Sequence, residues 1–112
     1  MVSIDQVQRG AAQFVERELL PKMQGKDKWI VTGITTLGLS KLPSLLQTAQ
    51  SNDVIKVLGI VGDDGYLDME SIIEAVRPAM RTTPATIQIP MGGTVKITEA
   101  DVDMLYQYII QS

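Results

Sequence analysis

The stretch "WIVTGITTLGLS", Trp29–Ser40, carries no charge, and the fold depends on how it is read. Trp29, Ile30, Val31, Thr32, Ile34, Thr35 and Thr36 have strand propensity. Yet Val31, Ile34, Gly38, Leu42, Leu45 and Ala49 fall on one helical stripe, and the length of the run favours a helix. Gly33 and Gly38 leave room for a neighbour to approach closely. Pro43 either starts a separate short helix, Pro43–Gln50, or kinks a continuous one. A helix that is apolar nearly all round is expected at the centre of a fold. The competing expectation is an association surface, with Trp29, Ile30, Ile34 and Leu37 as its contact residues. A third is a membrane-associated accessory protein lying on lipid through residues 29–46. Twelve uncharged residues are too few to cross a hydrocarbon layer that needs about twenty.

The flanking sequence is punctuated for helices. Ser3 with Gln6 has the spacing of a capping box, and Ile4, Val7, Ala11, Phe14 and Leu19 recur at helical spacing up to Pro21. Pro21 is expected to end that helix. "KMQGKDK" is a connector around Gly25. In "SNDVIKVLG", Ser51 or Asn52 caps a short helix that Gly59 terminates. Asp68 caps another through Ile72, Ile73, Ala75, Val76 and Met80, with Pro78 expected to kink or shorten it. "TIQIPMGGTVKI" alternates Ile87 and Ile89, then Val95 and Ile97, across Gly92–Gly93, and reads as a β-hairpin. Thr98 with Asp101 caps the last helix, whose Val102, Leu105 and Ile109 face inward. The expected fold is mainly α (α+β), one domain over residues 1–112, with about five helices and a short C-terminal β-hairpin.

Composition narrows the chemistry. Among 112 residues there is no Cys and no His. Thiol nucleophiles, thiolate metal sites and imidazole bases are therefore excluded. No catalytic constellation is visible, and the chain is expected to be non-enzymatic and free of cofactors. Residues 1–56 carry seven Lys/Arg against five Asp/Glu, and residues 57–112 three against eight. The basic residues form no run and the second half is acidic, which suits no phosphate backbone. Nucleic acid is not an expected partner; another protein, or a second copy of the chain, is.

"VGDDGYLDMES", Val61–Ser71, is the one metal-like motif. Asp64–Asp68 matches the second half of an EF-hand loop, with Gly65 at the sharp turn. The first, third and twelfth ligand positions, however, fall on Ile60, Gly62 and Ser71. Asp63, Asp64 and Asp68 remain as an incomplete set for a hard cation, the basis of an alternative reading as a weak divalent-cation-responsive binder. Most other carboxylates lie in first turns of helices, where they cap and complement the dipole. Leu67–Asp68 and Ile97–Thr98 repeat an apolar residue followed by a cap. This resembles a degenerate, EF-hand-like pair over about thirty residues, which implies that the two turn–helix units pack together beside the hairpin.

A wider resemblance runs through "ERELLPK", "VIKVLGIVGDDGYLDMESIIEAVRPAM", "IQIPMGG" and "VKITEADVDMLYQYI". In this spacing the chain is similar to small uncharacterised proteins of phages and prophages of Gram-positive bacteria. The resemblance implies a structural or accessory phage protein, in the host cytoplasm or on the virion, with no catalytic residues to carry over.

Overall fold

The computed structural model describes residues 1–54, 59–62, 64–83 and 85–112. Strand β1 (Val2–Ser3) leads into helix α1 (Ile4–Phe14). Helix α2 (Lys26–Ser40) and helix α3 (Leu42–Gln50) follow. Strand β2 (Tyr66–Leu67) then precedes helix α4 (Met69–Thr82). Strands β3 (Ala85–Gln88) and β4 (Thr94–Ile97) lead to the closing helix α5 (Glu99–Ile110). The chain is mainly helical with a small C-terminal hairpin, as its periodicity predicts. The helix expected from Asn52 to Gly59 lies largely outside the described residues; within them, Val54 N–H donates to the Asn52 side chain at 3.0 Å.

The caps form where the sequence places them. Gln6 N–H donates to Ser3 Oγ at 3.2 Å, and the Gln6 side chain returns to Ser3 N–H. Thr98 and Asp101 make the same reciprocal pair at the start of α5, with 2.9 and 3.2 Å separations. Asp101 is only 6% exposed because this box draws its carboxylate inward.

The core is small and centred on α1 against α5. Val2, Phe14, Met23, Ile73, Ile89 and Ile109 are buried. The two helices approach backbone to backbone at Gly10, which lies against Ile109 Cα and N. A Cβ built there would stand 2.7 Å from Ile109 N and 2.8 Å from Ile109 Cγ1. Phe14 meets Tyr108 edge-on, with ring centroids 6.2 Å apart and planes at 64°.

Helical geometry does not stop at Pro21. Residues Val15–Leu19 widen into a π turn, in which Leu20 N–H donates to Val15 O, and Leu20–Lys22 form a 3₁₀ turn. The widened turn accommodates a proline ring that a regular α-helix would drive into the carbonyl four residues earlier. It also places Glu18 where Tyr108 Oη donates to it at 2.7 Å. Pro78 likewise sits inside α4, which continues to Thr82. Proline there removes one hydrogen bond, and the helix does not finish early.

The pairing expected between the two turn–helix units is replaced by another. Leu67 pairs antiparallel with Val2 of β1, and Tyr66 with Ser3. Strands β3 and β4 pair with each other, Ile87 opposite Val95 and Ala85 opposite Ile97. Leu67 therefore packs beside the N-terminal strand and not beside the hairpin. The loop before it closes locally: Gly62 N–H donates to Tyr66 O at 2.9 Å and Asp68 N–H to Ile60 O at 2.8 Å. The closed loop pairs along one edge with β1, and Gln50 Nε2 of α3 donates to its Gly62 O at 3.2 Å.

The hairpin turn is Ile89–Gly92, closed by Gly92 N–H to Ile89 O at 2.9 Å. Its positive-φ position holds Met91, at φ +60°, where such a turn favours glycine. Gly92 serves a different need: its α-carbon lies against the Asp27 carboxylate and Ile89, with no space for a methyl group. Met91 is exposed and its side chain adds little packing. Met91→Gly is expected to raise unfolding free energy by about 1 kcal/mol, the left-handed penalty less the entropy of an added glycine. Urea titration of the two proteins checks it.

Candidate interaction surface

Helix α2 is aimed by contacts at both ends. Gly25, at φ +61°, reverses the chain ahead of it. In the first turn, Asp27 packs against Gly92 and Gly93 of the hairpin. At the far end Gln8 Nε2 donates to Leu39 O at 2.8 Å, tying α2 to α1. The side facing α1 carries Val31, Thr35 and Leu39, all half-buried. An almost wholly apolar cleft of about 380 Å³ lies between α1, α2, the hairpin and α5, lined by Phe14, Leu19, Leu39, Leu42, Ile97 and Leu105 among others. Lys41 is the turn between α2 and α3, so Pro43 does begin a separate helix.

The opposite side of α2 has nothing over it among the described residues. Trp29 is 82% exposed, Leu37 64% and Ile34 50%, while Ile30 is half-buried. Nothing among the described residues of other elements lies within 4 Å of where a Cβ on Gly33 would stand, whereas Gly38 borders the apolar cleft on the inner side. The expectation of a central, buried helix is thus overturned: α2 is helical but none of its residues is buried. The reason is geometric. Gly10 lets α5 occupy the near side of α1, and α2 meets what remains along one narrow edge. Thr32 and Thr36 border that edge with their hydroxyls bonded to carbonyls of their own helix, at 2.7 and 2.9 Å. A helix apolar on all sides that meets its fold along one edge leaves an apolar face in water. Leu45 and Val54 are exposed as well. Sequence periodicity put Leu45 inward, and no local signal distinguishes the two faces of α3.

The acidic loop is engaged differently. Both oxygens of Asp68 are taken by Ser71: backbone N–H at 3.2 Å and Oγ–H at 2.7 Å. Asp64 Oδ1 accepts from Tyr66 N–H at 3.1 Å. Asp63 lies outside the described residues. Among those described, no three acidic residues stand close enough to share a cation. The Ser71 hydroxyl, then its backbone N–H, hold the Asp68 carboxyl below its ordinary range despite some desolvation. A group with a depressed folded pKa stabilises the fold above its unfolded pKa, and that contribution fades as pH falls through the folded value. Ser71→Ala is expected to move the Asp68 titration midpoint upward toward 3.8 and to shift acid unfolding to higher pH. Carboxyl-carbon NMR across an acid titration reads the first directly.

Other carboxylates have structural partners too. Arg81 Nε donates to Glu99 at 2.7 Å, and Arg77 pairs with Asp103, joining α4 to α5. Tyr106 Oη donates to Glu70 at 3.2 Å across the same pair of helices. The Tyr106 phenol is pushed up first by desolvation and then by Glu70; that of Tyr108 is pushed up chiefly by its bond to Glu18.

Among the described residues no helix is long and apolar enough to cross a membrane. No family model, curated protein or solved structure matches the chain.

Proposed function

We propose that this protein is a non-enzymatic interaction module of the phage or prophage type, docking another polypeptide through the outer face of α2. The observation that supports the reading is the exposure of Trp29, Ile34 and Leu37 on a helix uncharged from Trp29 to Ser40. Isolated exposed apolar residues are ordinary on any surface; a run of them on one helical face marks a contact. The Gly33 position, on the outer side, admits close approach by a partner. Four of the carboxylates, Asp68, Asp101, Glu99 and Asp103, each hold a structural contact in a cap or an ion pair. The phage assignment follows the sequence resemblance, and host cytoplasm or virion is the location it implies.

Lysines 26, 28 and 41 flank the face and serve as cross-linking handles. Amine-reactive cross-linking in the native host, read by mass spectrometry, is expected to join them to a second polypeptide chain. Leu37→Glu is expected to abolish those links while leaving links within the chain intact. Cross-links confined to a single chain, in wild type and variant alike, contradict the proposal.

A further inference from the structure

We infer that the cleft on the inner side of α2 binds a single-chain amphiphilic monoanion, an alkyl carboxylate, with Lys22 and Lys96 holding its head. The inference is independent of the outer face of α2 and of any polypeptide that docks there.

Two adjoining cavities carry it. The larger is the apolar cleft of about 380 Å³ between α1, α2, the hairpin and α5. The smaller, of about 190 Å³, lies between the Leu20–Lys22 turn and β4 and is lined by Lys22, Met23, Thr94, Val95 and Lys96. Leu19 and Asp101 border both cavities, so the two meet across these side chains. Their chemistry differs. The larger presents hydrocarbon from Phe14, Leu39, Leu42, Ile97 and Leu105. The smaller combines two lysines and a threonine with apolar walls that include the buried Met23. Small-molecule sites join these same features: a mostly apolar hollow of ~300–1,000 Å³ and a few polar groups that fix orientation.

Charge decides the head group. Neither lysine has an ion-pair partner among the described residues, whose ion pairs are Arg9–Asp5, Arg77–Asp103 and Arg81–Glu99. Asp101 is the one acid on the shared border. It is buried, and its Oδ2 accepts from Thr98 N–H at 2.9 Å and from the Thr98 hydroxyl at 3.1 Å. Two lysines against one carboxylate leave a single positive charge over, which complements a monoanion. Flexible four-carbon stems let both ammonium groups close on one carboxylate. Volume decides the tail. The cleft lies near the lower end of the range for ligand sites, room for one alkyl chain and not for the two of a membrane lipid.

Calorimetric titration of the full chain with sodium octanoate and decanoate, each below its micelle concentration, tests the site. The two extra methylenes of decanoate should tighten binding roughly tenfold, the transfer gain of buried CH₂ groups. Decyltrimethylammonium, with the same tail and the opposite charge, should bind at least about tenfold more weakly. A Lys22→Gln, Lys96→Gln double variant should lose about tenfold in affinity for decanoate and none for neutral octanol. Both lysines are exposed, so the variant should keep the circular dichroism of wild type. Methyl NMR locates the tail, with shifts expected at Leu42, Ile97 and Leu105. Absence of saturable decanoate binding overturns the site. Equal affinity for decanoate and decyltrimethylammonium, or wild-type affinity for decanoate in the double variant, overturns the lysine head site. Methyl shifts confined to Ile34 and Leu37, on the outer face, overturn the cleft as the place of the tail.

Discussion

Replacing Gly10 with alanine is expected to cost about 3 kcal/mol of stability, although alanine is the better helix former. In an exposed helix interior the same change stabilises by about 1 kcal/mol. Here the added methyl group would meet Ile109 N at 2.7 Å and Cγ1 at 2.8 Å. Contacts of that kind settle near 3.5–4.0 Å, so α1 and α5 must separate by roughly 1 Å. The obstacle includes backbone, and no rotamer change relieves it. Overpacking a tight site costs about 1–3 kcal/mol or more, and separation also loosens Ile109, which is only 1% exposed. A fall of roughly 12 °C in melting temperature is expected at this chain length. Because association would raise apparent stability, wild type and variant are compared at one protein concentration. An unchanged or higher melting temperature would mean that α1 and α5 do not cross at Gly10.

Phe14→Ala is expected to cost about 3 kcal/mol, at the lower end of the range for a buried phenylalanine. Phe14 is buried and meets the Tyr108 ring edge-on at 6.2 Å. It also borders the apolar cleft beneath α2, into which neighbours can relax, and that relaxation keeps the loss near the lower bound. Phe14→Leu, which retains most of the volume, should cost about 1 kcal/mol. Guanidinium titrations of the two variants give the comparison. Equal losses for Ala and Leu would show that the ring itself, and not the filled volume, carries the contact. In a domain whose total stability is on the order of 5–15 kcal/mol, both Gly10→Ala and Phe14→Ala remove a large share.

Much of the secondary structure was legible because its signals are local. The boxes at Ser3–Gln6 and Thr98–Asp101, the Asp68 cap and the alternation of Ile87 and Val95 each act within a few residues. What sequence left open depends on residues far apart. Nothing near Gly10 announces that Ile109, ninety-nine positions on, will lie against it. Leu67 is paired with Val2, not with the hairpin, and the two partners lie sixty-five positions apart in sequence. Pro21 was expected to end the first helix, but a π turn absorbs it. For α2 the periodicity gave a helix and the composition gave apolarity. Together they suggested burial, but burial also needs neighbours on both sides, and the hairpin and α1 approach only one. Of the candidate contact residues, Trp29, Ile34 and Leu37 are exposed and Ile30 is half-buried, and which side of the helix stays open was not legible in its spacing. In the acidic loop, spacing ruled out a full calcium site. It did not foresee that Ser71 would engage both oxygens of Asp68.

Trp29 is the chain's one tryptophan and stands on the face in question, so its emission reports the state of that face. In a dilution series, nanomolar protein is expected to emit as a water-exposed indole. The emission should move to the blue, and acrylamide quenching should fall, when the polypeptide captured by the lysine cross-links is added. Emission from a shielded indole that stays constant on dilution, in a chain that sediments as a monomer, would contradict the account.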